Sequence, residues 1–205
     1  MFYQPRIEAH GLKHNPFKSC IVPRCIGWIS SLSEDGTVNL APYSFFNGVG
    51  DNPPMVMFSS GGRHVHGEKD SQGNVEATGE FVCNMVTWEL REQMSKTSAP
   101  TRPEISEFDY AGIEMEPSTV VKPPRVKASP IHLECEYLKT VELPCHIPDS
   151  TNAIIIGEVV GVHIRDEVLK DGMVDMSTFR PVARMGYMDY TVVDTVFTMI
   201  MPDKA

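Results

Sequence analysis

No CxxC spacing occurs among the cysteines of this chain, and their number, five, is odd. Structural zinc sites show paired ligands at such spacing, and a secreted disulfide framework uses its cysteines in pairs. Neither organising device is present. Most of Cys20, Cys25, Cys83, Cys135 and Cys145 are therefore expected to be buried small apolar groups in a reducing compartment. No stretch approaches the ~18 consecutive apolar residues of a membrane span. Met1 to Phe17 lacks the apolar core of a secretory leader. The expected address is cytoplasmic, with no membrane partner. Positive charge is scarce, with 18 Lys and Arg against 27 Asp and Glu and a net charge of -9. Nucleic acid is thus not expected as a partner, because bulk attraction to phosphate needs a basic patch. Any anionic ligand must be held by local donors against the overall field. Gly48-Val49-Gly50 lacks the third glycine and the βα context of a dinucleotide fingerprint. No nucleophile elbow, internal repeat, charge block or low-complexity segment occurs.

What remains is an ordinary globular composition, 41% hydrophobic and 22% charged, in 205 residues. That length can bury a core without a metal or disulfide staple. Residues 1–22 carry Pro5, Gly11 and Pro16 and read as an irregular lead-in, and 23–205 as a single domain. The apolar run Cys25 to Ile29, the turn Glu34-Asp35-Gly36 and the segment Thr37 to Ala41 make a hairpin signature. Pro42 is expected to interrupt the returning strand. Tyr43 to Phe46, Met55 to Ser59 and Phe81 to Val86 read as further short strands. Ile131 to Val141 alternates apolar and polar residues, Ala153 to Ile164 is dense in Ile and Val, and Val192 to Met201 reads as a closing strand. Helices are expected over Lys69 to Gly79, capped by Asp70 or Ser71, from Thr87 to about Lys96, and for one turn over Glu107 to Ala111 before Gly112. Many short strands, few helices and no βαβ alternation point to a mainly β barrel with short peripheral helices.

Two segments carry a physical case for ligand binding. Lys69-Asp70-Ser71 opens a short helix, and a helix start with a hydroxyl and a lysine beside it suits a phosphate monoester. A capped surface helix with a solvated lysine explains the same residues. In Asn39-Leu40-Ala41-Pro42-Tyr43-Ser44, proline removes a donor and breaks the ladder. Neighbouring N–H groups are then left for a flat heterocycle, with the side chains of Asn39 and Ser44 beside them. A bulged edge strand is the plainer explanation. Ser30-Ser31 and Ser59-Ser60-Gly61-Gly62-Arg63 are two more hydroxyl-rich strand ends. His64-Val65-His66 offers two imidazoles without an evident third ligand, so no metal is assigned.

The ordered set of motifs resembles the flavin reductase-like family, which includes flavoredoxin-type proteins. It runs from Arg24-Cys25-Ile26-Gly27-Trp28-Ile29-Ser30-Ser31 through Asp35-Gly36, Asn39 to Asn47 and Asn52-Pro53-Pro54. It continues in Lys69-Asp70-Ser71, Asn74, Thr78 to Asn84, Glu107-Phe108, Leu133-Glu134-Cys135, Gly157-Glu158-Val159 and Arg184-Met185-Gly186-Tyr187. The resemblance implies an FMN-binding split β-barrel of Greek-key type, a homodimer with the flavin near the subunit interface. It implies ring contacts on Asn39, Leu40, Ala41, Pro42, Tyr43 and Ser44, and phosphate contacts on Ser30, Ser31, Lys69 and Ser71. Ser59, Arg63, Asn74, Gly186 and Tyr190 complete the expected cofactor-binding set, and Met185 and Met188 are candidates for packing on a flavin face.

The activity implied is that of an oxidoreductase passing hydride or electrons from NAD(P)H through FMN to an acceptor. Bound flavin would carry the chemistry, so no acid–base dyad is required and no catalytic side chain is assigned. Arg63 and Arg184 are candidates to stabilise the reduced ring. Two alternatives stay open: an electron carrier reduced by a partner protein, and a binding module for haem or another planar ligand, with His132 or His163 as axial ligand.

Overall fold

The computed structural model describes residues 1–62, 69–102 and 104–201. The predicted hairpin forms from Gly27–Leu32 (β1) and Val38–Tyr43 (β2), with Ile29 opposite Ala41 and Ser31 opposite Asn39. Gly36 turns the chain at φ 89°, a left-handed conformation that costs glycine little. Pro42 does not interrupt β2, which runs on to Tyr43. The Leu40 N–H leaves the ladder and donates to Glu107 Oε2 at 2.9 Å. By the alternation of an antiparallel pair, Pro42 faces the same open side, where its missing N–H costs no bond to β1.

Phe46–Asp51 (β3), Pro54–Gly61 (β4), Glu80–Met85 (β5), Ile131–Leu143 (β6) and Asn152–Ile164 (β7) complete a seven-stranded antiparallel sheet. Its order is β2-β1-β5-β6-β7-β4-β3. The strand expected over Tyr43 to Phe46 is instead a corner at Ser44-Phe45. The two end strands, β2 and β3, are therefore consecutive in the chain. At the corner the Phe45 carbonyl accepts the Ser59 N–H at 2.8 Å, which carries the β3–β4 ladder one step into the turn.

Side-chain alternation divides the core in two. On β1, Trp28 faces a cluster with Leu40, Leu90, Met94 and Phe108. Its neighbour Ile29 faces the other way, toward Phe58, Phe81, Cys135 and Ile155. Asp70–Thr78 (α1) adds Val75 to this second cluster. Arg91–Lys96 (α2) and Glu107–Ala111 (α3) cover the first through Met94 and Phe108. Gly79 and Gly112 end α1 and α3 in the left-handed conformation, as their positions predict.

Several expectations need correction. The N-cap position of α1 is Lys69, not Asp70 or Ser71, and its ammonium, having no acceptor, makes no side-chain cap bond; the Ser71 hydroxyl donates to Asn39. The helix expected from Thr87 starts only at Arg91, since the backbone at Thr87 pairs with Pro181. Of the closing strand expected over Val192 to Met201, only Val192 is in a strand, Tyr190–Val192, which pairs with Val182–Arg184. Residues 193–201 have no regular structure, and Phe197 and Ile200 are exposed. Cys83 and Cys135 are the buried cysteines; Cys20 and Cys25 are exposed and Cys145 is half-buried. No described helix is long and apolar enough to cross a membrane.

Candidate functional site

Four pieces of chain converge on the open edge of β2. The edge itself supplies Asn39, Ala41, Pro42 and Tyr43, the start of α1 supplies Lys69 to Ser71, the loop after α2 supplies Thr97 to Ala99 and Thr101, and α3 supplies Glu107. They enclose a cleft of about 130 Å³. Its floor is a buried hydrogen-bond network. Glu107 is 4% exposed, and its carboxylate accepts from the Leu40 N–H at 2.9 Å, Asn39 Nδ2 at 3.1 Å and Thr101 Oγ1 at 2.5 Å. Asn39 Oδ1 in turn accepts from Ser71 Oγ at 2.7 Å and Ser31 Oγ at 3.5 Å. Asn74 Nδ2 donates to Ser31 Oγ at 3.2 Å. The network ties β2 to α1, α3 and the loop, so the edge is rigid where it faces the cleft.

The cleft's charge is local. Lys69 Nζ lies 5.4 Å from the centre of the Tyr43 ring. Burial, and then the charge of Lys18, lower the Lys69 pKa. Burial pushes the Tyr43 hydroxyl up to about 12, so it stays protonated as a donor. The first turn of α1 adds the partial positive charge of a helix start. Asp70 in the same turn opposes an anion there, which leaves Lys69 as the decisive cation.

The sequence-predicted residues separate into groups. Asn39, Ala41, Pro42, Tyr43, Lys69 and Ser71 line the cleft. Leu40 is fully buried and contributes only its backbone. Ser31 and Asn74 stand behind, in the network. Ser30 is fully buried, donates to the Pro124 carbonyl at 2.6 Å and accepts from Asn84 Nδ2 at 3.2 Å. Its hydroxyl is spent inside the fold. Ser44 and Ser59 line a different, adjoining cavity. Gly186 packs on Ser19, and the Tyr190 hydroxyl accepts from Arg184; neither lines the cleft. Met188 is 81% exposed. Arg63, His64 and His66 lie outside the described residues. His132 and His163 are engaged elsewhere, a His132 nitrogen 2.9 Å from the Val126 carbonyl and a His163 nitrogen 2.5 Å from Glu134.

Glu107, Thr101 and the 97–99 segment are the site residues that sequence reasoning missed. The segment is anchored from below, where the buried indole of Trp28 donates to Thr97 Oγ1 at 2.8 Å and Thr97 donates to the Met94 carbonyl at 2.8 Å. Trp28→Phe removes that bond and some packing volume. We expect a loss of about 2 kcal/mol, which lowers the melting temperature by roughly 4–8 °C in a thermal melt. An unchanged melt would mean that the indole bond does not anchor the segment.

The sequence model of the flavin reductase like domain matches residues 19–183. Among solved structures, nitrilotriacetate monooxygenase component B from Bacillus cereus superposes with a TM-score of 0.88 at 26% identity, covering 97% of this chain and 98% of that one. The 2-nitrobenzoate 2-nitroreductase of Pseudomonas fluorescens gives 0.84 at 26% identity, over 98% and 96% of the two chains. A Shewanella frigidimarina protein described as having a split barrel domain gives 0.79 at 24% identity, over 91% and 90%. The seven-stranded sheet is thus a split barrel.

Proposed function

Because the chain belongs to the flavin reductase-like family, we propose that it binds FMN along β2 and acts as an oxidoreductase, taking hydride or electrons from NADH or NADPH and passing them to an acceptor. The observation that carries this reading is the open edge of β2 with Lys69 at its side. The names of two similar structures, a monooxygenase component and a nitroreductase, support the reaction class.

The polar groups present suit FMN. The N–H groups expected to be left for the ring are not free on the open edge, since that of Leu40 goes to Glu107 and Pro42 has none; the edge offers instead the Leu40 and Pro42 carbonyls as acceptors for a ring N–H. A phosphate monoester is suited by a cation at a helix start, and Lys69 stands at the N-cap position of α1 without a side-chain cap bond. We assign the ring to the backbone from Ala41 to Ser44 and the phosphate to Lys69 and Ser71. Ser30 falls out of the ligand's reach; Ser31, Asn39, Asn74 and Glu107 hold the wall against which it rests. When bound, flavin supplies the hydride and electron chemistry. The chain's part is to orient the ring, to keep water from its inner face with the 97–101 loop, and to neutralise the phosphate with Lys69. The binding unit is assigned to 23–205, in a cytoplasmic homodimer whose second copy covers the flavin.

Purified protein should be yellow, or turn so on adding FMN, and anaerobic NADH or NADPH should bleach it. Failure to take up FMN would overturn the reading. FMN uptake without bleaching by either nucleotide, but with reduction by a ferredoxin-like protein, would make it an electron carrier instead. Lys69→Ala should weaken FMN roughly 10–100-fold, the worth of one charge-assisted contact, and riboflavin far less. Equal losses in a fluorescence titration would mean that Lys69 does not meet the phosphate.

A further inference from the structure

A second cavity opens where β2 ends. It measures about 660 Å³ and lies between the corner at Ser44 to Phe46, the segment from Phe17 to Cys25, and strands β4 and β7. That size is within the range of small-molecule sites. Its walls are largely apolar, with Phe17, Ile21, Phe45, Phe46, Met57 and Ile154 among them. Phe46 lies against β1 because residue 27 is glycine; a Cβ there would sit 2.5 Å from the ring.

In a chain with a net charge of -9, Arg24 lines the cavity, Lys18 stands beside its Phe45 wall and Arg184 lies near Arg24. No residue lining the cavity is Asp or Glu. Arg24 is 6% exposed, and every acceptor it reaches is neutral: the carbonyls of Lys18, Ile21 and Met185, and Ser44 Oγ at 3.5 Å. Burial and the neighbouring charge of Arg184 lower its pKa. The charged ends of Lys18 and Arg24 each lie 5.9 Å from the centre of the Phe45 ring. Among the described residues, no carboxylate forms an ion pair with Lys18, Arg24 or Arg184. Like charges gathered without a counterion repel, and a bound anion relieves them.

The occupant must combine one negative charge with a flat apolar body. A phosphate dianion is poorly served, since the cavity offers single side-chain donors and no helix start. An aliphatic acid would gain only apolar burial from three phenylalanine rings, whereas a ring adds offset or edge contacts to it. We propose that this cavity binds a small planar aromatic carboxylate, its ring against Phe17, Phe45 and Phe46 and its carboxylate toward Lys18. Ser44 joins the cavity to the edge of β2, so such a ligand sits beside the flavin seat. That adjacency rests on the flavin reading; the binding itself does not.

The test titrates benzoate, benzamide and cyclohexanecarboxylate into the full-length protein by calorimetry, with FMN uptake followed separately by fluorescence. Benzoate should bind saturably, and the other two at least ten-fold more weakly. Lys18→Gln, at an exposed position, should weaken benzoate and leave benzamide unchanged, and Phe45→Ala should weaken both. Absence of saturation, equal affinity for benzoate and benzamide, or indifference to both substitutions would overturn the proposal. If FMN binds and benzoate does not, the cavity proposal fails alone. If benzoate binds to a protein that refuses FMN, the flavin reading fails alone.

Discussion

Replacing Glu107 with alanine should lower the melting temperature by roughly 6–16 °C and weaken FMN more than ten-fold. The carboxylate accepts from three donors in a buried place, and alanine leaves the Leu40 N–H, Asn39 Nδ2 and Thr101 Oγ1 without an acceptor. An orphaned buried donor costs about 1–3 kcal/mol, and three neighbours that share one partner cost less than their sum, about 3–4 kcal/mol together. Glutamine separates shape from charge. Its oxygen can still serve Leu40 and Asn39, and its amide can donate to Thr101, whose hydroxyl is free to reverse. Glu107→Gln should therefore melt within about 4 °C of the parent, a loss of ~1 kcal/mol. The ligand effect follows because Glu107 fixes the backbone at Leu40, on the strand that seats the ring. A thermal melt and an FMN fluorescence titration on both variants check this. Equal melts for alanine and glutamine would sink the network argument. A destabilised alanine variant with parental FMN affinity would confine Glu107 to holding the fold.

The sequence showed the site's frame better than its chemistry. The β1–β2 hairpin was legible because Asp35-Gly36 falls between two apolar runs, a signal contained within a few residues. The helix ends at Gly79 and Gly112 were legible for the same reason. Pro42 was misread as a break in the strand, while the plainer explanation, an edge strand, holds without its bulge: β2 ends the sheet, where proline costs nothing. Ser30 and Ser31 look alike in sequence, yet alternation sends them to opposite faces. One meets Pro124, 94 positions away, and the other meets Asn74. Glu107 reads locally as an acid placed to suit a helix start. It is buried only because the loop after α2 folds over β2, bringing it to Asn39 from 68 positions away. Val192 to Met201 was expected as a closing strand, but a strand needs a neighbour, and of that segment only Val192 lies in one that pairs.

Acid should destabilise the fold in two separable steps, through neighbouring residues remote from β2. Glu134 is fully buried. Burial alone would raise its pKa, but the N–H groups of Thr119, Val120 and Val121 and the His163 ring overcome that and hold it at about 2, below its ordinary 4.5. Its stabilisation is complete above pH 4.5 and is lost as pH falls toward 2, because the unfolded chain takes up the proton first. His132 is 1% exposed, and burial, aided by the charges of Arg125, His163 and Arg165, lowers its pKa from 6.5 to about 4. Its Nδ1 is buried without a hydrogen-bond partner, so the folded state refuses a proton that the unfolded state accepts. Stability therefore falls as pH drops from 6.5 through 4. At about 1.4 kcal/mol for each tenfold change in proton affinity, each step amounts to roughly 3 kcal/mol. Denaturant melts at pH 7, 5, 4 and 2.5 should resolve them. His132→Phe should flatten the upper step while costing about 1 kcal/mol at pH 7, where the bond to the Val126 carbonyl is lost. Glu134→Gln should cost several kcal/mol at pH 7, since its amide turns N–H groups toward N–H groups, and the gap to the parent should close as pH falls below 4.5. A gap that stays constant down to pH 2.5 would mean that the three backbone donors do not depend on the charge of Glu134. An upper step that survives in His132→Phe would assign it to another group.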